Sequence, residues 1–227
     1  MSYQKSDAKK AVIILSGGLD STTLMYWVKS KNFDVYALSL DYGQKHKKEL
    51  TIASNHCKKL NIPHRIISLD AIKGILGKSS LVGEKDVPEG AYTEDNMTST
   101  VVPNRNMILL SIAVAYAIDI NASTVFYGAH SGDHALYPDC RPEFVEAMRK
   151  AAELCHYYPI AIEAPFLHKS KAEIVKLGSD LNVDYSLTWS CYKGGDTPCG
   201  VCGTCIERAK AFSENGLIDP LSNKKIN

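Results

Sequence analysis

The chain has 227 residues, enough for one α/β domain with a small appendage. Lys and Arg number 26 against 25 Asp and Glu, a net charge of +1, so neither a broad nucleic-acid footprint nor attraction to an anionic membrane is expected. No apolar run approaches the roughly 18 residues of a membrane span, and the polar tail at 1–10 lacks the core of a secretory signal, so a cytoplasmic protein is expected.

In chain order, Ala11 to Leu15 is a short, continuously apolar run ending at glycines, the pattern of a buried parallel strand. Ser21 to Ser30 reads as a helix with Leu24, Trp27 and Val28 on one face. Val35 to Leu40 and Arg65 to Leu69 read as further strands, separated by a charged helix from about Lys45 to Leu60. The stretch from Ile72 to Thr100 has no clear period and holds Gly74, Gly77, Gly83, Pro88 and Gly90; such a loop is expected to serve as a lid or binding loop. Asn106 to Ile118 is an apolar helix, Thr124 to Tyr127 a strand, and Pro142 to Leu154 and Ser170 to Ser179 are helices. This alternation predicts an α/β fold with a doubly wound, mostly parallel, Rossmann-like sheet and ligands at the strand C-termini. Residues 11–185 are expected to form the main α/β domain, and 186–227 a small C-terminal segment packed on it.

Between the first strand and first helix lies Ser16-Gly17-Gly18-Leu19-Asp20-Ser21-Thr22-Thr23. Glycines permit close backbone approach, and the unpaired amides of a first helical turn form an anion nest reinforced by the helix dipole. Ser16, Ser21 and Thr22 add hydroxyl donors. Asp20 is out of place in a pure anion site and fits a Mg²⁺ that bridges phosphates. The loop lacks the Gly-Lys-Ser/Thr of a Walker A motif and the Gly-x-Gly-x-x-Gly of a dinucleotide fingerprint. The plainer alternative is a turn whose Asp or Ser only caps the helix.

Of seven cysteines, Cys191, Cys199, Cys202 and Cys205 crowd together near the end. Four thiolates at this spacing, among glycines, suit a closed structural Zn²⁺ site. An iron–sulfur cluster or a redox Cys-x2-Cys pair are the competing readings. Cys57 and Cys155 are expected to be small buried hydrophobes, and Cys140 a packed thiol.

The loop at 16–21 resembles the pyrophosphate loop of the N-type ATP pyrophosphatases, which implies ATP and Mg²⁺. Together with LDYGQKH (40–46), VVPNRN (101–106), YPDCRPEF (137–144), KSKAEIVKLG (169–178) and TWSCYKGGDTPCGVCGTC (188–205), it makes residues 10–220 similar to the 7-cyano-7-deazaguanine synthase family. The resemblance implies conversion of 7-carboxy-7-deazaguanine, ammonia and ATP to a nitrile, in a likeness to small-molecule ligases that act without nucleic acid or membrane, as homodimers. It implies nucleotide contacts from Leu15, Ser16, Gly17, Gly18, Leu19, Asp20, Ser21, Thr22, Thr23, Tyr42 and Gln44, and catalytic roles for Asp20, Arg105, Asp139, Arg141 and Lys171. Arg105 is suited to clamp a carboxylate or phosphate, Asp139 to accept from a guanine-like edge, and Arg141 to hold the carboxylate. Lys171 is favoured over Lys169 as the phosphate contact. Asn104 stands where the family carries glycine, and Asn tolerates the left-handed conformation. His130 and Asp133 follow a strand and are expected to line the cleft. The competing functions are a tRNA-modifying thiolase, a related amide-forming or conjugating enzyme, and a non-enzymatic zinc-knuckle binder of nucleic acid.

Overall fold

The computed structural model describes residues 9–44, 47–76, 79–82, 86–91, 98–134 and 137–222. Most of the tail at 1–10, the expected helix start at Lys45, and part of the loop at 72–100, including Gly77 and Gly83, lie outside the described residues.

Five parallel strands form one sheet: β1 Lys10–Ile14, β2 Asp34–Asp41, β3 His64–Ser68, β4 Thr124–Phe126 and β5 Ala161–Glu163, in the order β3-β2-β1-β4-β5. The order reverses at β1, which pairs with β2 on one side (Val12 opposite Tyr36) and β4 on the other (Val12 opposite Val125). A crevice opens at such a reversal, beyond the strand C-termini.

Side chains alternate across the sheet. Ala11 and Ile13 of β1 join Val35 and Ala37 of β2 in one core, against α1 (Leu19–Ser30) and the later helices α5 (Lys171–Asp180) and α6 (Gly203–Glu214). Val12, Leu38 and Leu40 face the opposite core, against α3 (Arg105–Asp119) and α4 (Pro142–Leu154). Ile13, Leu24, Leu110 and Phe166 are among the largest fully buried side chains; each stabilises the fold by about 2–3 kcal/mol.

Four helices end on asparagine in the left-handed conformation: Asn32, Asn61, Asn121 and Asn182, at φ 60°, 53°, 56° and 55°. Asparagine tolerates this conformation better than other non-glycine residues, which turns the chain sharply into its next segment. Asn104, ahead of α3, is left-handed too, at φ 59° and ψ 19°.

Several boundaries differ from expectation. Strand β1 stops at Ile14, and α1 begins at Leu19 rather than Ser21. Strand β5 carried no recognisable signal, because three residues are too few to show alternation. Cys155 is exposed, correcting the expectation of a buried thiol: it caps α4 beyond the last packed turn, next to an 84% exposed Leu154. Cys57 and Cys140 are buried.

A third, smaller core lies beyond the strand ends. Leu81, Val87 and Val102 pack with Trp189, Cys191, Cys202 and Cys205. The Gly90 amide donates to the Val201 carbonyl (2.8 Å), so the irregular segment after β3 is stitched to the cysteine segment. Arg208, 3% exposed, fastens that segment to the domain. It grips Asp219 through two nitrogens (2.8 and 3.0 Å) and also donates to Thr188 Oγ1 (2.7 Å) and the Tyr185 carbonyl (2.9 Å). No helix among the described residues is long and apolar enough to cross a membrane.

Candidate active site

The crevice at the reversal is a cleft of about 230 Å³. Its floor is the loop between β1 and α1. Gly18 begins α1 in extended geometry without a side-chain cap, so the first amides of the helix are left for a ligand. Ser16 Oγ accepts from the Gly18 amide (3.2 Å) and lies 2.9 Å from Ser21 Oγ, which accepts from the Ser16 amide (3.2 Å). The two hydroxyls thus brace the loop from within. Gly17 adopts φ +88°, and a Cβ there would overlap the carbonyl oxygen of Glu49, so glycine is required on both counts. The Gly17 carbonyl accepts from the Trp189 amide (3.1 Å), so the cysteine segment buttresses the loop.

Charge is concentrated around Asp20. Lys171, at the start of α5, lies 3.3 Å from Asp20 Oδ2 and 3.2 Å from Glu207 Oε2. A reciprocal cap between Ser170 and Glu173 sets where that helix begins, and with it the lysine. Burial opposes ionisation of Asp20, but Lys171 and His130 outweigh it and hold its carboxyl below the usual range. Burial likewise opposes the Lys171 charge, and Asp20 with Glu207 keeps it above the usual lysine range. His130 is 2% exposed; its Nδ1 accepts from the Gly132 amide (3.1 Å), which assigns the ring proton to Nε2. That nitrogen lies 3.4 Å from Asp133 Oδ2 and 3.8 Å from Asp20 Oδ2. Asp20 Oδ1 is buried with no hydrogen-bond partner among the described residues, an orphaned acceptor of the kind a Mg²⁺ would satisfy.

The opposite wall is built by Tyr42, Glu49 and Arg105. Arg105, at the start of α3, stands beside the Tyr42 hydroxyl, and burial pushes the Tyr42 pKa up against the pull of that guanidinium. Glu49 lies in the first turn of α2 (Lys48–Lys59). Burial raises its carboxyl to about 8, opposed by Arg105. Trp189 closes this end: Lys48 Nζ sits 3.9 Å from its ring centre, and its indole donates to the Cys191 carbonyl (3.0 Å).

The sequence-derived residues divide between the cleft and its supports. Ser16, Gly18, Leu19, Asp20, Ser21, Tyr42, Arg105, His130, Asp133 and Lys171 line the cleft. Leu15, Thr22 and Thr23 are fully buried beneath it. Gln44 folds back on its own strand, accepting from the Tyr42 amide (2.9 Å). Asp139 Oδ2 accepts from the Asn106 amide (2.9 Å), where it caps α3, and Arg141 is exposed and donates to the His134 carbonyl (2.8 Å). Neither is among the lining residues. Lys169 lies outside the lining as well, and its carbonyl anchors Ser131. Lining residues that sequence reasoning missed include Glu49, Tyr127, Trp189, Tyr192 and Glu207. For Glu49 a signal existed. It shares a helical stripe with buried Ala53 and His56, an odd place for a carboxylate.

Beside the cleft, the sulfurs of Cys191, Cys199, Cys202 and Cys205 all lie within 4.8 Å of one another. Four thiolates around Zn²⁺ at about 2.3 Å would be about 3.8 Å apart, so the set fits with small adjustment. The amides of Cys199 and Cys202 already donate to the sulfurs of Cys191 (3.4 Å) and Cys199 (3.3 Å). The four could hold one structural metal ion, fixing the wall that carries Trp189.

The model of the family described as queuosine biosynthesis protein QueC matches residues 10–216. A 7-cyano-7-deazaguanine synthase of Marinomonas sp. is 53% identical over 214 residues, covering 94% of this chain and 98% of that protein. Another, from Pseudoalteromonas translucida, is 54% identical over 213 residues, with 94% and 98% covered. Among solved structures, an NH3-dependent NAD synthetase from Campylobacter jejuni matches with a TM-score of 0.50 at 21% identity, over 81% of this chain and 69% of that one. At that identity the likeness speaks for the fold alone.

Proposed function

The chain belongs to the QueC family of queuosine biosynthesis proteins, and from that membership and the geometry of the cleft we propose that it is an ATP-dependent ligase. It converts 7-carboxy-7-deazaguanine and ammonia to 7-cyano-7-deazaguanine. The observation that carries the reading is the uncapped loop at 16–21 facing Lys171 and an orphaned Asp20 oxygen, in a chain whose relatives bear the synthase name.

A carboxylate resists attack because its charge repels nucleophiles and its leaving group is oxide. Transfer of AMP to its oxygen supplies a leaving group. In this reading the first amides of α1 with Ser16 and Ser21 hold the phosphates, and Lys171 neutralises charge that develops on the departing pyrophosphate. Asp20 would hold the Mg²⁺ that accompanies ATP, and the ion would supply charge neutralisation at the phosphates. Ammonia then displaces AMP to give the amide. A second activation, at the amide oxygen, ends in loss of that oxygen and a nitrile. One cleft serves both rounds, because acid and amide are nearly isosteric. The Tyr127 hydroxyl, which lines the cleft and has no hydrogen-bond partner among the described residues, is available to the deazapurine.

The same reading divides the chain into a nucleotide-binding domain (11–185) and a zinc segment (186–227). It has the enzyme work as a homodimer in the cytoplasm, where thiols stay reduced for metal. The test is incubation with 7-carboxy-7-deazaguanine, ammonium and Mg-ATP, read by mass spectrometry. The expected products are the nitrile, AMP and pyrophosphate. An amide that never dehydrates, or no product at all, overturns the reading; ADP in place of AMP overturns the mode of activation.

A further inference from the structure

We propose that Glu49 is the general base of this reaction, taking one proton from nitrogen when ammonia is captured and one when the activated amide collapses to the nitrile. The inference rests on the function proposed above. When ammonia attacks the activated acid, a C–N bond forms, one N–H proton passes to the Glu49 carboxylate, and the C–O bond to AMP breaks. As the amide oxygen is activated, the first of the two amide N–H protons leaves to solvent; when the resulting neutral imidate collapses, its remaining N–H proton passes to Glu49. The electron pair left on nitrogen completes the third C–N bond, and AMP leaves with the C–O electrons. Between rounds the carboxyl returns its proton to solvent.

Geometry carries the assignment. Glu49 lines the same cleft as Asp20 and Lys171. Its helical turn is pressed against the phosphate loop, since its carbonyl fills the space a Gly17 side chain would need. The base is therefore held in fixed relation to the site of activation. Asp20 cannot take the role, because Lys171 commits its carboxylate to charge. Among the described residues no hydrogen bond or ion pair ties up the Glu49 carboxylate. The groups facing it are Arg105 from α3 and Tyr42 from the end of β2. Burial lifts its carboxyl to about 8, so it gains and loses a proton near physiological pH, as a general base should.

The experiment is single-turnover quench-flow with Glu49→Gln and Glu49→Asp beside the parent enzyme. Each is loaded with 7-carboxy-7-deazaguanine and Mg-ATP, first without ammonium and then with it. Activation without ammonium is expected to proceed in Glu49→Gln within about threefold of the parent, while amide and nitrile formation slow by about 10²–10⁴-fold. With free ammonia held constant across the pH series, the parent should show a rising limb near pH 8 in the ammonium-dependent steps; Glu49→Asp should keep a limb at reduced rate and Glu49→Gln lose it. Ammonium-dependent steps as fast in Glu49→Gln as in the parent, or activation slowed as much as capture, would overturn the assignment. A parent enzyme that makes no nitrile would instead bring down the function on which it rests.

Discussion

Asp20 and Glu49 line one cleft, yet their surroundings drive them to opposite ends of the carboxylate range. Lys171 and His130 surround Asp20 and hold it ionised. Glu49 is partly buried with a guanidinium near but not on it, and its carboxyl rises to about 8. Separation of two titratable groups in one site divides labour between them: one carries fixed charge and the other moves protons. What sets them apart is a cation at 3.3 Å rather than depth alone, since burial opposes ionisation in both.

The sharpest way to break the contrast is to remove the lysine. Lys171→Met should cost about 3 kcal/mol in urea unfolding at pH 7, because Asp20 and Glu207 lose their shared cation. It should also lower kcat/KM by about 10²–10³-fold in initial-rate assays. Adding Asp20→Asn should restore part of the stability and none of the activity. Next in size is Gly17→Ala, which forces a side chain into a left-handed turn against the Glu49 carbonyl. A loss of about 2 kcal/mol and a higher KM for ATP are expected, with melting curves and ATP titrations as the readouts.

Acidity tests the contrast from both sides. The depressed Asp20 pKa contributes stability above its unfolded value near 4 that is lost as pH falls through the folded value. Glu49 runs the other way: its raised pKa favours the fold at low pH, and that contribution drains away as pH rises from about 4.3 towards 8. Glu49→Gln should therefore melt higher than the parent at pH 8.5 by roughly 4 °C, with the gap closing by pH 5, as scanning calorimetry would show. The smallest effect is expected from Asp139→Ala, about 1 kcal/mol for the lost cap on α3 with KM unchanged. A KM raised more than about tenfold with unaltered stability would return Asp139 to the substrate, as the resemblance implied.

These expectations rest on features of unequal legibility. The loop at 16–21 and the cluster of four cysteines stand out in the sequence because their pattern is local: glycines, hydroxyls and thiols at short spacing are visible within a few residues. The alternating elements of the domain were readable from apolar runs. Glu49, Trp189 and Glu207 come from three distant stretches and acquire meaning only when α2, the cysteine segment and α6 converge. Asp139 shows the converse. Its motif neighbourhood suggested substrate, whereas its carboxylate meets the first turn of a helix more than thirty residues earlier in the chain.

The tie between Trp189 and the loop at 16–21 makes the molecule its own optical instrument. The sequence holds two tryptophans. Trp27 packs edge-on against Phe126 and Phe166 in the sheet core, while Trp189 touches the cleft, Lys48 and the Cys191 carbonyl together. Fluorescence from the second should respond to nucleotide on one side and to metal on the other, with the first as an internal standard that neither disturbs.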